Sequence, residues 1–223
     1  MMSNRAEIFL NITERCSENN HHSMPYWLKE INKMQVLQNT IHGYATGRNI
    51  LILFIITQML YAFMLMVTIP QVSEYAGDMV LFDLKPEGYS VDYAQGLLET
   101  LGEDGRDLYL THQIPVDFLY PGFFAVTYML LLSFIFKRVF SDDSWMQVLV
   151  FVPFLAGIFD YLENIGIIAM LTQYPDLPSA IVTLSSVFSV GKSTLTTLSF
   201  VLLFVAIGIW LYQNLKKRTP KNS

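Results

Sequence analysis

The stretch FVPFLAGIFDYLENIGIIAMLT, residues 151–172, decides the fold. At 1.5 Å per residue its 22 residues reach across about 30 Å of hydrocarbon. Yet it carries Asp160, Glu163 and Asn164 at positions i, i+3 and i+4, which a helix projects from one stripe. An ionised acid facing lipid at mid-depth costs roughly 2.5 to 3.5 kcal/mol on insertion scales, so the stripe must face other protein. A membrane-crossing helix with a polar stripe therefore needs neighbouring helices that bring polar groups of their own.

Three more runs supply them. Residues 49–69, 116–136 and 179–212 are each apolar and long enough to span, alongside 145–171. Hydrophobic residues make up 52% of the 223-residue chain, charged residues only 15%, and the mean hydropathy is +0.38, which excludes an ordinary soluble domain. The fold class expected is an all-α bundle of four transmembrane helices over residues 48–215. A single cysteine, Cys16, excludes an internal disulfide and any CxxC motif.

Charge sets the expected orientation. Arg5, Arg15, Lys29, Lys33, Arg48, Lys137, Arg138, Lys216, Lys217, Arg218 and Lys221 all fall on one side of the four spans. Residues 70–115, on the other side, hold only Lys85 and Arg106 against nine acids. The positive-inside rule then makes both termini cytosolic and the acidic 70–115 segment an outer cap, and the plasma membrane is expected rather than an organelle membrane. The sequon at Asn11 would be cytosolic and bare.

Outside the spans, residues 1–22 read as a disordered polar tail and 216–223 as a basic one. Over 23–47, Trp27, Leu28, Ile31, Met34, Leu37, Ile41 and Tyr44 recur every three or four positions, which predicts an amphipathic helix lying in the headgroup layer. His21 and His22 are adjacent, point apart on a helix and make a weak metal site at best, so both are expected to be solvated. In the cap, Ser90 begins a helix with Val91, Ala94, Leu97, Leu98 and Leu101 on one face; Gly102 stops it, and a second short helix leads towards Pro115.

The candidate site comes from combining the spans. Pro121 cannot donate to the carbonyl of Asp117, four residues earlier, so a bend is expected there, with the freed carbonyl, the Asp117 carboxylate and the Tyr120 hydroxyl forming one polar locus. Counting from the cytosolic ends puts Asp160 at about 22 Å, Glu163 and Lys192 at about 27 Å and Asp117 at about 30 Å. Lys192 is thus a cation at matching depth, flanked by Ser185, Ser189, Ser193 and Thr196, while Gly157 admits a close helix neighbour. Gln58, at about 15 Å, is expected to donate an interhelical hydrogen bond. The expected ligand-binding set is Asp117, Tyr120, Asp160, Glu163, Asn164 and Lys192, with no metal.

Three acids to one lysine leave negative charge over, which favours a cavity for a lipid, a sterol or a cationic amphipathic molecule. Three other readings stay open: a polar cluster that only packs helices, a proton- or cation-coupled transporter, and a membrane-embedded enzyme acting on lipid. The GKST at residues 191–194 lacks the preceding glycine of a phosphate-binding loop, with Ser186 in its place, and lies inside an apolar run. Expected partners are the bilayer and a lipid or amphipathic small molecule, not nucleotide or nucleic acid.

The stretches GYSVDYAQGLLETLGEDGRDLYLTHQIPVDFLYPGFF, residues 88–124, and FDYLENIG, residues 159–166, resemble those of a group of small, uncharacterised, mostly microbial four-span membrane proteins. A fainter similarity is to the sterol isomerase and sigma-2 receptor class, which implies acids inside a short helix bundle holding an amine or a sterol.

Overall fold

The computed structural model describes residue 36 and residues 40–141 and 144–218. The chain divides into two units, Met1–Gly43 and Tyr44–Ser223, and all four long helices belong to the second. In the first unit the described residues, 36 and 40–43, are helical. The expected tail over 1–22, most of the amphipathic helix over 23–47 and the end of the basic tail lie outside the described residues.

No strand occurs among the described residues, and four helices are long and apolar enough to cross a membrane. The first, α1, runs over Gly47–Ser73, capped where Thr46 Oγ1 accepts from the Asn49 amide at 3.3 Å. It loosens into a π-helical turn at Met64–Thr68 and then accommodates Pro70. After a short 3₁₀ turn at Phe82–Leu84 comes α2, Val91–Leu108. A second π turn at Tyr109–Gln113 leads straight into α3, Ile114–Val139. Next, α4 opens as a 3₁₀ helix at Trp145–Phe151 and becomes α-helical at Val152–Gln173, the change falling next to Pro153. Last, α5 is one helix, Ser179–Arg218.

The spans are arranged around α3 and α4. Helix α4 packs most extensively on α5 and then on α3; α3 also meets α5, while α1 makes its main interhelical contact with α3. Two glycines explain how closely α4 is held. A Cβ on Gly157 would sit 3.0 Å from the Pro121 carbonyl oxygen and 3.0 Å from Ala125 Cβ, both on α3. A Cβ on Gly166 would meet Ser185 Oγ on α5 at 2.5 Å. One face of α4 is thus notched for α3 and another for α5.

Why α2 folds against this bundle follows from its sequence. Ser90 Oγ accepts from the Tyr93 amide at 3.1 Å, and Ala94, Leu97, Leu98 and Leu101 are buried on one face. Burial of each leucine is worth about 1.5 to 3 kcal/mol relative to exposure. The stretch from Val91 to Leu101 is short enough to be marginal alone in water. Gly102, at φ 63°, breaks it in a conformation that costs glycine little, and helix resumes beyond. Arg106 then ties the segment down, donating to the Leu98 carbonyl at 2.7 Å with its guanidinium 4.4 Å from the centre of the Tyr174 ring.

Buried apolar side chains form two clusters. One gathers Phe82, Leu97, Leu98, Leu101 and Tyr109 with the ends of α4 and α5, and the other centres on Phe124, Tyr128, Leu132 and Phe136 of α3. A Gly166→Ala substitution is expected to lower the thermal unfolding midpoint of the detergent-solubilised protein, by about 1 to 3 kcal/mol of overpacking. Gly208→Ala, where nothing lies within 4 Å, should leave the midpoint unchanged or raise it.

Candidate functional site

Between the two apolar clusters the bundle holds a polar layer, and the stripe on α4 lies at its centre. Asp160, Glu163 and Asn164 are all buried. The two acids share one partner and the amide has another. Lys192 of α5 sends its ammonium to Asp160 Oδ1 at 3.3 Å and forms a closer ion pair with Glu163 Oε2. Asn164 Nδ2 donates at 3.0 Å to the carbonyl oxygen of Asp117. That is the carbonyl Pro121 leaves without its helical donor, so an amide from α4 repairs a break that proline makes in α3.

Three serine hydroxyls of α5 go elsewhere, while Ser193 and Thr196 stay on the Lys192 side. Ser185 Oγ donates to the Glu163 carbonyl at 3.2 Å and lies 2.7 Å from the Tyr89 hydroxyl. Ser186 Oγ accepts from the Tyr89 amide at 2.8 Å, and Ser189 Oγ donates to the Lys85 carbonyl at 2.9 Å. These bonds stitch the loop before α2 onto α5. Burial pushes the Tyr89 phenol above its ordinary pKa, so it stays protonated in this role.

Beside the layer lies a cavity of about 480 Å³. Its polar wall includes Asp83, Asp117, Asp160 and Lys192. Its aromatic wall includes Tyr61, Tyr120, Phe124, Tyr128 and Phe200. Tyr61 stacks on Tyr120 with ring centres 5.5 Å apart, and Phe124 lies 4.6 Å from Tyr128. Four of the six residues expected to bind ligand therefore line one cavity: Asp117, Tyr120, Asp160 and Lys192. Glu163 and Asn164 do not line it; both are fully buried behind it in the helix contacts.

Asp117 stands apart electrostatically. It is 2% exposed, its Oδ2 is enclosed without a hydrogen-bond partner, and no described side chain donates to it. The nearby ammonium is committed to the two acids of α4.

Sequence reasoning missed Asp83. It sits in the 3₁₀ turn and reaches the cavity wall, where Tyr109 Oη donates to its Oδ1 and Gln113 Nε2 to its Oδ2 at 3.0 Å. Gln113 Oε1 in turn accepts from Thr68 Oγ1, so the two π turns meet through this chain of bonds. Nothing in a run of nine acids distinguishes this one before the loop folds. Gln58 does not make the interhelical bond expected of it: Thr57, one residue earlier, is buried and bonds Thr127 of α3 at 2.8 Å, while Gln58 is exposed and lines the cavity. GKST lies within α5, and a Cβ on its Gly191 would meet the Phe159 ring at 2.3 Å. Among the described residues no three His, Cys, Asp or Glu side chains converge as a metal site.

Comparison with family models, with curated proteins and with solved structures returns no match to this chain.

Lys192→Met should destabilise the folded protein by about 3 to 5 kcal/mol, because it strands two buried carboxylates. Adding Asp160→Asn and Glu163→Gln to that variant should restore much of the loss, as read from denaturant unfolding in mixed micelles. A triple variant no more stable than Lys192→Met would contradict the shared ion pair.

Proposed function

We propose that this multi-pass membrane protein binds a cationic amphipathic small molecule in the cavity between α1, α3 and α5. The observation that carries the reading is Asp117, a buried carboxylate on the cavity wall that no donor among the described residues meets, while Lys192 is taken up by Asp160 and Glu163. A buried acid without a partner is costly, and a ligand ammonium is a group that offsets it. Asp160 and Asp83 on the same wall add negative potential, and the rings of Tyr61, Tyr120 and Phe124 suit both the face of a cation and an apolar body. Glu163, Asn164 and Lys192 then hold the assembly. Asp117, Asp160 and Tyr120 hold the ligand.

In this reading both termini are cytosolic, the membrane is the plasma membrane, and α2 with its loop is the acidic outer cap above the cavity. The distribution of Lys and Arg supports that orientation.

Dodecylamine at ten times its Kd should add about 1.4 kcal/mol of stability and so raise the thermal midpoint in detergent. Dodecanol, of the same chain length, should leave it unchanged. Asp117→Asn should abolish the amine's effect; equal shifts from amine and alcohol, or an undiminished shift in the variant, would refute the site.

The orientation has its own test. With Cys16 replaced by serine, a cysteine at the exposed Glu99 should react with a membrane-impermeant maleimide on intact cells, and one at the exposed Lys217 only after permeabilisation. The opposite pattern would invert the topology.

A further inference from the structure

We propose that the cavity is loaded sideways from the bilayer, through a slot between α1 and α5 whose polar lips are Gln58 and Thr197. The inference rests on the binding site proposed above and adds its route and its ligand class: an amine already dissolved in the membrane, whose chain leaves between the two helices.

Three observations carry it. The first is depth. α1 and α3 are pinned by the Thr57–Thr127 bond, α3 and α4 by Asn164 and Gly157, and α4 and α5 by the approach of Gly166 to Ser185. Counting along the helices from those contacts brings Gln58 and Thr197 to one level, about 14 Å below Asp117. Both residues lie near the middle of their helices, the level at which acyl chains surround a helix that spans a bilayer.

The second is exposure. Gln58 and Thr197 line the cavity and are both exposed, and no described side chain hydrogen-bonds the Gln58 amide. A glutamine turned to hydrocarbon at mid-depth with no partner is unfavourable. At the lip of an opening it is served by the polar part of whatever passes or lodges there. The helices leave room for this, because α1 leans on α3 and makes no comparable contact with α5.

The third is that the other way in is narrowed by bonded structure, with the exposed Leu84 at its rim. At the α2 end, Leu81 and Phe82 are fully buried, Asp83 is held by Tyr109 and Gln113, and the following loop is bonded to α5 through Tyr89 and Ser189. A solute arriving from the water would have to pass Leu84 beside those contacts. An amphiphile in the bilayer would not.

The test uses the full chain with Cys16 replaced by serine, reconstituted in phosphatidylcholine vesicles. A bimane label is placed at Gln58→Cys, at Thr197→Cys, or at Met66→Cys, a control on α1 that is exposed but not part of the cavity. Lipids brominated at mid-chain should quench all three labels, and aqueous iodide should quench none strongly. Dodecylamine should then relieve most of the quenching at 58 and 197 and none at 66. Quenching by iodide alone at 58 and 197 would show that the cavity is served from water. Relief that is equal at all three positions, or absent while dodecylamine still stabilises the protein, overturns the slot and leaves the binding site standing. Absence of any effect of dodecylamine on either stability or quenching overturns both.

Discussion

The architecture depends on how a few buried charges and carbonyls are shared among three helices. Among the described residues Lys192 is the one ammonium in the polar layer, and it lies between Asp160 and Glu163. One turn away, Asn164 donates to a carbonyl that proline has deprived of its own helix bond. The two contacts face different neighbours, α5 and α3, and both start from a single stripe on α4. In a bilayer there is no water to satisfy these groups if the helices separate, so the stripe specifies which helices meet and at what height. Measured interhelical hydrogen bonds in membranes average under about 1 kcal/mol, so the apolar clusters and close glycine contacts must supply most of the attraction. The polar contacts fix register.

Register determines what is left over. With α4 notched at Gly157 against α3 and at Gly166 against α5, Asp160 lines the cavity while Glu163 turns behind it. Lys192 is drawn to the α4 side. Asp117, on α3, is left on the wall of the same cavity without a donor among the described residues. The division between residues that assemble the bundle and residues that offer a site is therefore a consequence of packing, and it separates side chains only three positions apart.

Much of this was legible in the sequence because helical periodicity is rigid. The spacing of Asp160, Glu163 and Asn164 fixes a common stripe whatever the fold, and apolar length fixes the number of helices able to span. The depth match between Lys192 and the acids followed from the constant rise per residue. What was not legible needed rotation or loop geometry. Neighbouring residues on a helix differ by about 100° in direction, so whether Thr57 or Gln58 met α3 could not be read without knowing how α1 is turned. The π turns at Met64–Thr68 and Tyr109–Gln113 carry no sequence signal that separates them from ordinary helix, yet they set where Thr68 and Gln113 point. Asp83 became part of the cavity only through a loop whose path is fixed by bonds to α5 and to Tyr109.

The most direct measurement is mass spectrometry of the small molecules released on denaturing protein purified in mild detergent, compared with the same preparation of the Asp117→Asn variant. The account requires an amine-bearing amphiphile near one per chain in the first and its depletion in the second. An acidic amphiphile held at that stoichiometry, or an amine retained equally by both proteins, would contradict it.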